Sequence, residues 1–234
     1  MKKTFYSFIY IILIVSIFGY YFYIEIKEYL ENQKVYNSYK MSNIPDYNGT
    51  SYIYINNNEP EFNLEDKEKC PFEEYYDLDD LGRCTGAYAC LSKELMPTEE
   101  RSNISHIKPS GWKISRYDFI EGEYLFNRCH LIAYSLSGEN DNVNNLITCT
   151  RYLNAISMLE FEEKVANYIR RTDNHVLYRV KPIFDKTNLI AKGVQMEAYS
   201  IEDNGEGIKY NVFLYNIEPR VHIDYLDGSN YLVN

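Results

Sequence analysis

The stretch Tyr124–Arg171, YLFNRCHLIAYSLSGENDNVNNLITCTRYLNAISMLEFEEKVANYIRR, constrains the fold more than any other part of the chain. An apolar run closes on the polar cluster Asn127-Arg128-Cys129-His130, gives way to a Gly/Asn/Asp-rich loop, and resumes as a second apolar run, Leu146–Thr150. The period then changes. Leu153, Ile156, Leu159, Val165 and Ile169 recur as on the buried stripe of a helix. The predicted order is strand, loop, strand, helix. It brings His130, at a strand end, close to a helix that carries Asn154 and, two turns on, Glu162.

These residue types suit hydrolysis of a phosphodiester. A neutral imidazole accepts a proton from water near neutral pH because its ordinary pKa is about 6.5, so His130 is the candidate base. An Asn carbonyl and a carboxylate are hard oxygen donors of the kind that hold hydrated Mg²⁺. Helical side chains lean toward the N-terminus, so Glu162 can reach back toward the turn of Asn154 and the ion's water shell.

NRCH resembles the DRGH signature of the DNA/RNA non-specific endonucleases, the ββα-metal nucleases, and NLITCTRYLN resembles the segment that supplies their metal-binding Asn. The likeness is to bacterial DNA-entry and secreted nucleases and extends over roughly Ile44–Tyr225, through YDLDDLGRC, MPTEERSNISHIKPSGW and the hairpins after Asn174. The resemblance implies an α+β fold, a ββα-metal core with a central antiparallel sheet flanked by helices. It implies His130 as general base, Asn154 as Mg²⁺ ligand with Mn²⁺ as a substitute ion, and Asn145 as a residue ordering the site. Glu162 becomes the helical glutamate, with Glu160 the less favoured choice. Arg101 and Arg128 are the candidate phosphate-gripping residues.

Two positions depart from the signature. Asn127 stands for its Asp, keeping hydrogen bonds while losing charge, and Cys129 stands for its Gly, placing a side chain where Gly permits close backbone approach. Adjacent strand residues point to opposite faces, so Cys129 and His130 do not form a nucleophile–base pair by themselves. Five cysteines, Cys70, Cys84, Cys90, Cys129 and Cys149, leave one thiol over after two disulfides, and no CxxC pair suggests zinc. Cys84 with Cys129 is the preferred pairing, because both segments should reach the central sheet. Cys129 with Cys149 competes, and sequence does not decide between them.

Upstream, residues 1–4 read as a cytoplasmic tail. Phe5–Ile24 is apolar or aromatic apart from Ser7, Ser16 and Gly19 and, at about twenty residues, long enough to span a bilayer. No A-x-A-like site closes it, so an uncleaved signal anchor is preferred to a cleaved signal peptide. Lys2 and Lys3 then direct the remainder outside the cytoplasm. Glu25–Asn43 reads as a polar stalk and residues 44–234 as the nuclease domain.

Within that domain Ser51–Ile55 alternates as a first strand, and Asp77–Ser92 reads as a turn entering a central strand. Lys113–Tyr117 and Glu123–Phe126 read as a hairpin around Glu121-Gly122. Asn204-Gly205-Glu206-Gly207 signals a turn between late strands. Gly138–Asn145 lacks the alternating oxygen ligands of a calcium loop and reads as a plain loop. Arg83 is expected to pair with Asp79 or Asp80, His106 to be a satisfied surface or core histidine, and Trp112 to be core. Arg170, Arg171, Arg179 and Lys181 form a basic patch in the sequence that is either a face beside DNA or an ordinary solvated one.

A net charge of −10 is awkward for a nucleic-acid partner, since phosphate binding is driven by Lys and Arg. A nuclease needs only local positive charge and its metal. The expected function is a sequence-non-specific endonuclease acting on DNA, and on RNA as a further substrate, outside the cytoplasm and without an organic cofactor. The alternative is a catalytically weakened surface module that binds nucleic acid without cleaving it. Binding is expected to be modest and to weaken steeply with salt; equilibrium binding at several salt concentrations checks it, and an affinity indifferent to salt contradicts it.

Overall fold

Alternate strand residues face opposite sides of a sheet, so the unbroken burial of Ala87–Leu91 and the near-continuous burial of Gly193–Ser200 and Lys209–Tyr215 require cover on both faces. The computed structural model describes residues 19–23 and 38–233. The chain divides into two units, Met1–Tyr36 and Asn37–Asn234. In the first, residues 19–23 are helical; the rest of the expected membrane segment, and the stalk up to residue 37, lie outside the described residues. Among the described residues no helix is long and apolar enough to cross a membrane.

The second unit contains β1 (Ser38–Tyr39), β2 (Tyr52–Ile55), β3 (Phe72–Tyr75), β4 (Ala87–Leu91), β5 (Phe126–His130), β6 (Leu146–Thr150), β7 (Val176–Ile183), β8 (Gly193–Ser200), β9 (Lys209–Tyr215), β10 (Val221–Ile223) and β11 (Asn230–Leu232). Seven of these form one sheet in the order β1-β2-β9-β8-β7-β4-β3, antiparallel except for the β1–β2 pair. The last residues read as stalk thus enter the sheet through β1. β5 pairs only with β6, and β10 with β11. Asn204 and Gly205, at φ +55° and +83°, reverse the chain between β8 and β9 as their turn signal predicts.

Helical structure is sparser than expected. A single turn, α1 (Tyr134–Ser137), follows β5, and α2 (Leu159–Thr172) is the one long helix of this unit among the described residues. One helix therefore covers the sheet where flanking helices were expected. Val165, Ala166 and Ile169 on α2 pack with Tyr178, Val180, Met196, Ala198 and Val212 of the sheet and with Cys129 and Ile147 of the ribbon. Complete burial of a side chain such as Val165 or Ile169 stabilises by roughly 1.5–3 kcal/mol. The opposite face is covered more thinly, by clusters around Ile55, Phe213 and Tyr215 and around Tyr88, Cys90 and Leu177.

Three expectations are corrected. Leu153, Val165 and Ile169 are buried as predicted, but Ile156 and Leu159 are 56% and 41% exposed. The reason is a π-helical turn, Leu153–Met158, ahead of α2, whose extra residue per turn shifts the phase and buries Ser157 and Met158 instead. Lys113–Tyr117 is not a strand: the segment meets Glu123–Phe126 through one bridge, Arg116 to Tyr124, flanked by turns. The preferred Cys84–Cys129 disulfide is absent.

The disulfides are Cys70–Cys90 and Cys129–Cys149, with Cα separations of 5.3 and 5.9 Å. Cys149 stands opposite Asn127 and Cys129 opposite Ile147, so the two cysteines are diagonal neighbours on one face of the ribbon. Cys84 is buried, its thiol facing the carbonyls of Val143 and Leu146 at 3.2 and 3.0 Å, and burial pushes its pKa up to about 12. Non-reducing peptide mapping should recover these two pairs, and Cys84 should resist iodoacetamide in the native protein and react after denaturation. Rapid native alkylation of Cys84 contradicts the assignment.

Candidate active site

His130 ends β5 and is 6% exposed. Its Nε2 lies 2.9 Å from the Asn140 carbonyl oxygen and its Nδ1 3.2 Å from an Arg101 guanidinium nitrogen. A carbonyl only accepts and a guanidinium only donates, which settles the tautomer: Nε2 carries the hydrogen and Nδ1 presents its lone pair. Burial lowers the His130 pKa to about 4, with Arg101 pushing the same way and the Asn140 carbonyl opposing. The imidazole is therefore neutral at physiological pH, the form a base requires.

The loop between β5 and β6 is held by Asn145, which is fully buried. Its Oδ1 accepts the Ile132 N–H at 2.9 Å, its Nδ2 donates to the Ile132 carbonyl at 3.0 Å, and its own carbonyl accepts the Leu131 N–H. The Asn140 side chain donates in turn to Ser102, tying the segment that carries Arg101 to the same loop. Asn145 ties the residues that follow His130 to the far end of the loop and does not line the cavity.

The helical arm supplies the remaining groups. Thr150 Oγ1 accepts the Leu153 N–H and the Glu218 carboxylate accepts the Tyr152 N–H, satisfying donors at the helix start. Arg101, His130, Arg151, Asn154 and Glu162 line one cavity of about 370 Å³. The π-turn brings Leu159, rather than buried Met158, round to the side of Asn154. Asn154 also donates to Asn127 Oδ1 at 3.4 Å, so the residue in the signature's Asp position orients the amide. Glu160 points away and pairs with Lys164.

The other candidate residues lie outside the cavity. Arg128 donates to the carbonyls of Ile107 and Ser105 and lies 4.0 Å over the partly buried Trp112 ring, and it is not among the cavity-lining residues. Arg83 pairs with Asp79, and His106 makes an exposed contact with Asp141. The basic patch is divided by strand alternation: Arg179 pairs with Glu197 on the face of Leu177, whereas Arg170 and Arg171 end the helix on the face of Tyr178. Sequence reasoning missed Arg151, which sits three residues before Asn154 in the quoted motif, and missed the Asn140 carbonyl, which no side-chain pattern reveals.

The donor set fits a hydrated hard cation. Asn154 and Glu162 offer hard oxygen donors on one cavity, and among the described residues no group of three His, Cys, Asp or Glu side chains could hold an ion. Glu162 is 8% exposed, and burial raises its pKa to about 8, with Arg101 opposing and Glu163 adding. A buried carboxylate of this kind is stabilised by a nearby positive ion.

Residues 63–202, more than half of the chain, match the model of the DNA/RNA non-specific endonuclease family, and the protein belongs to that family. Among solved structures, NucA from Streptococcus agalactiae with magnesium bound matches with a TM-score of 0.72 at 22% identity, over 89% of this chain and 97% of that one. Sda1 nuclease with bound zinc matches at 0.58 and 28% identity, over 70% and 80%. A protein described as an extracellular endonuclease matches at 0.55 and 20% identity, over 80% and 100%. No curated protein sequence matches the chain.

The two shifted groups set opposite pH slopes in the cation-free protein. Glu162 contributes stability below its ordinary value of 4.5, lost as pH rises toward 8; His130 contributes above 6.5, lost as pH falls toward 4. They offset each other between 4.5 and 6.5. Between pH 6.5 and 8 the Glu162 contribution falls alone, by about 2 kcal/mol. Denaturant unfolding in EDTA should show wild type losing more stability than Glu162→Gln over that interval; equal losses contradict the Glu162 environment.

Proposed function

We propose that the chain is a sequence-non-specific endonuclease that hydrolyses phosphodiester bonds of DNA, with RNA as a further substrate, outside the cytoplasm. The observation that carries this reading is the convergence of a neutral, lone-pair-presenting His130 with Asn154, Glu162 and two arginines on one cavity. The family membership and the extracellular endonuclease among the structural matches support it.

His130 Nδ1 takes a proton from the attacking water while Nε2–H remains on the Asn140 carbonyl, which stabilises the imidazolium as it forms. In the substrate-free chain Arg101 occupies that lone pair. A phosphate is a stronger acceptor for a guanidinium than an imidazole is, so transfer of Arg101 to substrate frees the base as it grips the phosphate. Arg151, whose Nε is buried without a partner while Nη2 reaches Glu121, holds the phosphate from the helix side. Asn154 would hold Mg²⁺, with Mn²⁺ as a substitute, and Glu162 would balance its charge; such an ion, when bound, would supply charge neutralisation at the phosphate and the leaving 3′ oxygen, consistent with products that carry 5′-phosphates.

A plasmid assay on the full chain tests the reading. Wild type should nick and degrade DNA with Mg²⁺ and stop in EDTA, and His130→Ala should fall on the order of 10²–10⁴-fold. Arg151→Ala should chiefly raise KM. Full activity in His130→Ala rejects the base assignment, and binding without cleavage by wild type across several divalent metals establishes the weakened-module alternative.

A further inference from the structure

The turns around Phe119 and the chain entering β10 bring together an exposed cation and an exposed ring. The Arg220 guanidinium lies 4.3 Å over the Phe119 ring, which is 36% exposed. Among the described residues its nitrogens meet no carboxylate or other acceptor, so its N–H donors are uncommitted. Both members are tied to the cavity. Glu121, two residues after Phe119, accepts from Arg151 Nη2 at 2.9 Å, and Glu218, two residues before Arg220, accepts the Tyr152 N–H at 3.1 Å. Two residues of chain reach at most about 7 Å, so ring and guanidinium both stand beside the Arg151 side of the cavity.

The backbone under Arg220 is a costly one for arginine. Glu218-Pro219-Arg220-Val221 closes as a turn, the Val221 N–H donating to the Glu218 carbonyl at 3.1 Å, with Arg220 third at φ +71°. A turn with Pro second and a positive φ third takes Gly or Asn there, because other side chains are strained in that region. Glycine would relieve the backbone and delete the guanidinium. The strained position is thus the one that holds an exposed, unpaired cation beside Arg151. Strain of this kind clusters where a chain holds ligands.

We propose that Arg220, seated on Phe119, is a further phosphate grip: it takes a backbone phosphate of the substrate strand outside the scissile linkage that Arg101 and Arg151 hold. The inference rests on the reading of the cavity as the endonuclease site. Each strand of a duplex carries a phosphate per about 3.4 Å of helix axis, so a strand seated at Arg151 presents further phosphates to the rim. A planar guanidinium matches a phosphate bidentately, and the ring beneath it restricts the orientations it takes. In a chain of net charge −10 such a contact adds affinity for a polyanion without touching the reacting atoms.

The test measures kcat and KM for plasmid cleavage by the full chain at several salt concentrations, alongside thermal unfolding. Arg220→Gln should raise KM on the order of fivefold at low salt and leave kcat within about twofold of wild type. The slope of log KM against log salt should fall by roughly 0.7–0.9, the loss of one phosphate contact. Arg220→Gly should do the same and fold with a Tm close to wild type, since relief of the positive φ offsets the freedom glycine gains in the unfolded chain. If both variants match wild type in KM and slope, the grip fails and the reading of the cavity stands. If they raise KM at an unchanged slope, or lower kcat by the same factor, Arg220 acts through the shape of the rim and the proposal is overturned. If wild type itself leaves DNA uncut with Mg²⁺, the reading of the cavity fails and takes the inference with it. Loss of fold in both variants assigns Arg220 a structural role and overturns the proposal.

Discussion

The site depends on one hydrogen bond from a side chain to the backbone, from His130 Nε2–H to the Asn140 carbonyl. A histidine can present either nitrogen, and only the one opposite its fixed hydrogen accepts a proton. By holding Nε2, the loop between β5 and β6 commits Nδ1 to the cavity. Asn140 is tied by its own side chain to Ser102, and Asn145 grips both polar groups of Ile132 at the start of the same loop, where loss of either bond would leave a buried backbone group unpaired. A segment without regular structure thereby sets the chemistry of a strand residue.

The second constraint is electrostatic. A chain of net charge −10 opposes polyanions at long range, yet its cations are not evenly neutralised. Arg83, Arg179, Lys164 and Lys209 are each taken up by a carboxylate. Among the described residues Arg101 has no carboxylate within salt-bridge distance, and Arg151 reaches only the largely exposed Glu121 at the rim. Arg101 and Arg151 thus leave positive charge available to a phosphate at the cavity. Low dielectric there makes each charge count for more than it would at the surface.

The strand–loop–strand–helix order of the site was legible because a change of hydrophobic period is a local signal, and His130, Asn154 and Glu162 lie on the elements it defines. Arg101 was readable only through the resemblance, since its segment has no regular structure and reaches His130 through the Ser102–Asn140 contact. The surroundings of Arg128 were not legible, because strand position alone does not tell whether a guanidinium faces solvent or, as here, backbone carbonyls and an indole ring. The π-turn escaped detection for a related reason. Ile156 and Leu159 satisfy an α-helical stripe in sequence, and only the packing of Met158 and Phe161 against the core shows where the phase slips.

Cys129 shows how a departure from a signature is accommodated. Gly at that place permits close backbone approach, and any side chain has to find room on the face opposite His130. That face is the core, where Cys129 is wholly buried and bonded to Cys149. The bond closes a 20-residue span that contains His130, Asn140 and Asn145, and a loop of this length contributes about 3 kcal/mol by restricting the unfolded chain. It also fixes β5 against β6 beside Asn127, the other departure, whose carbonyl oxygen receives the Asn154 amide. A charged Asp would grip that amide more strongly than Asn does. With the two strands joined covalently, the neutral partner holds Asn154 in a frame that the hydrogen bond alone does not have to maintain.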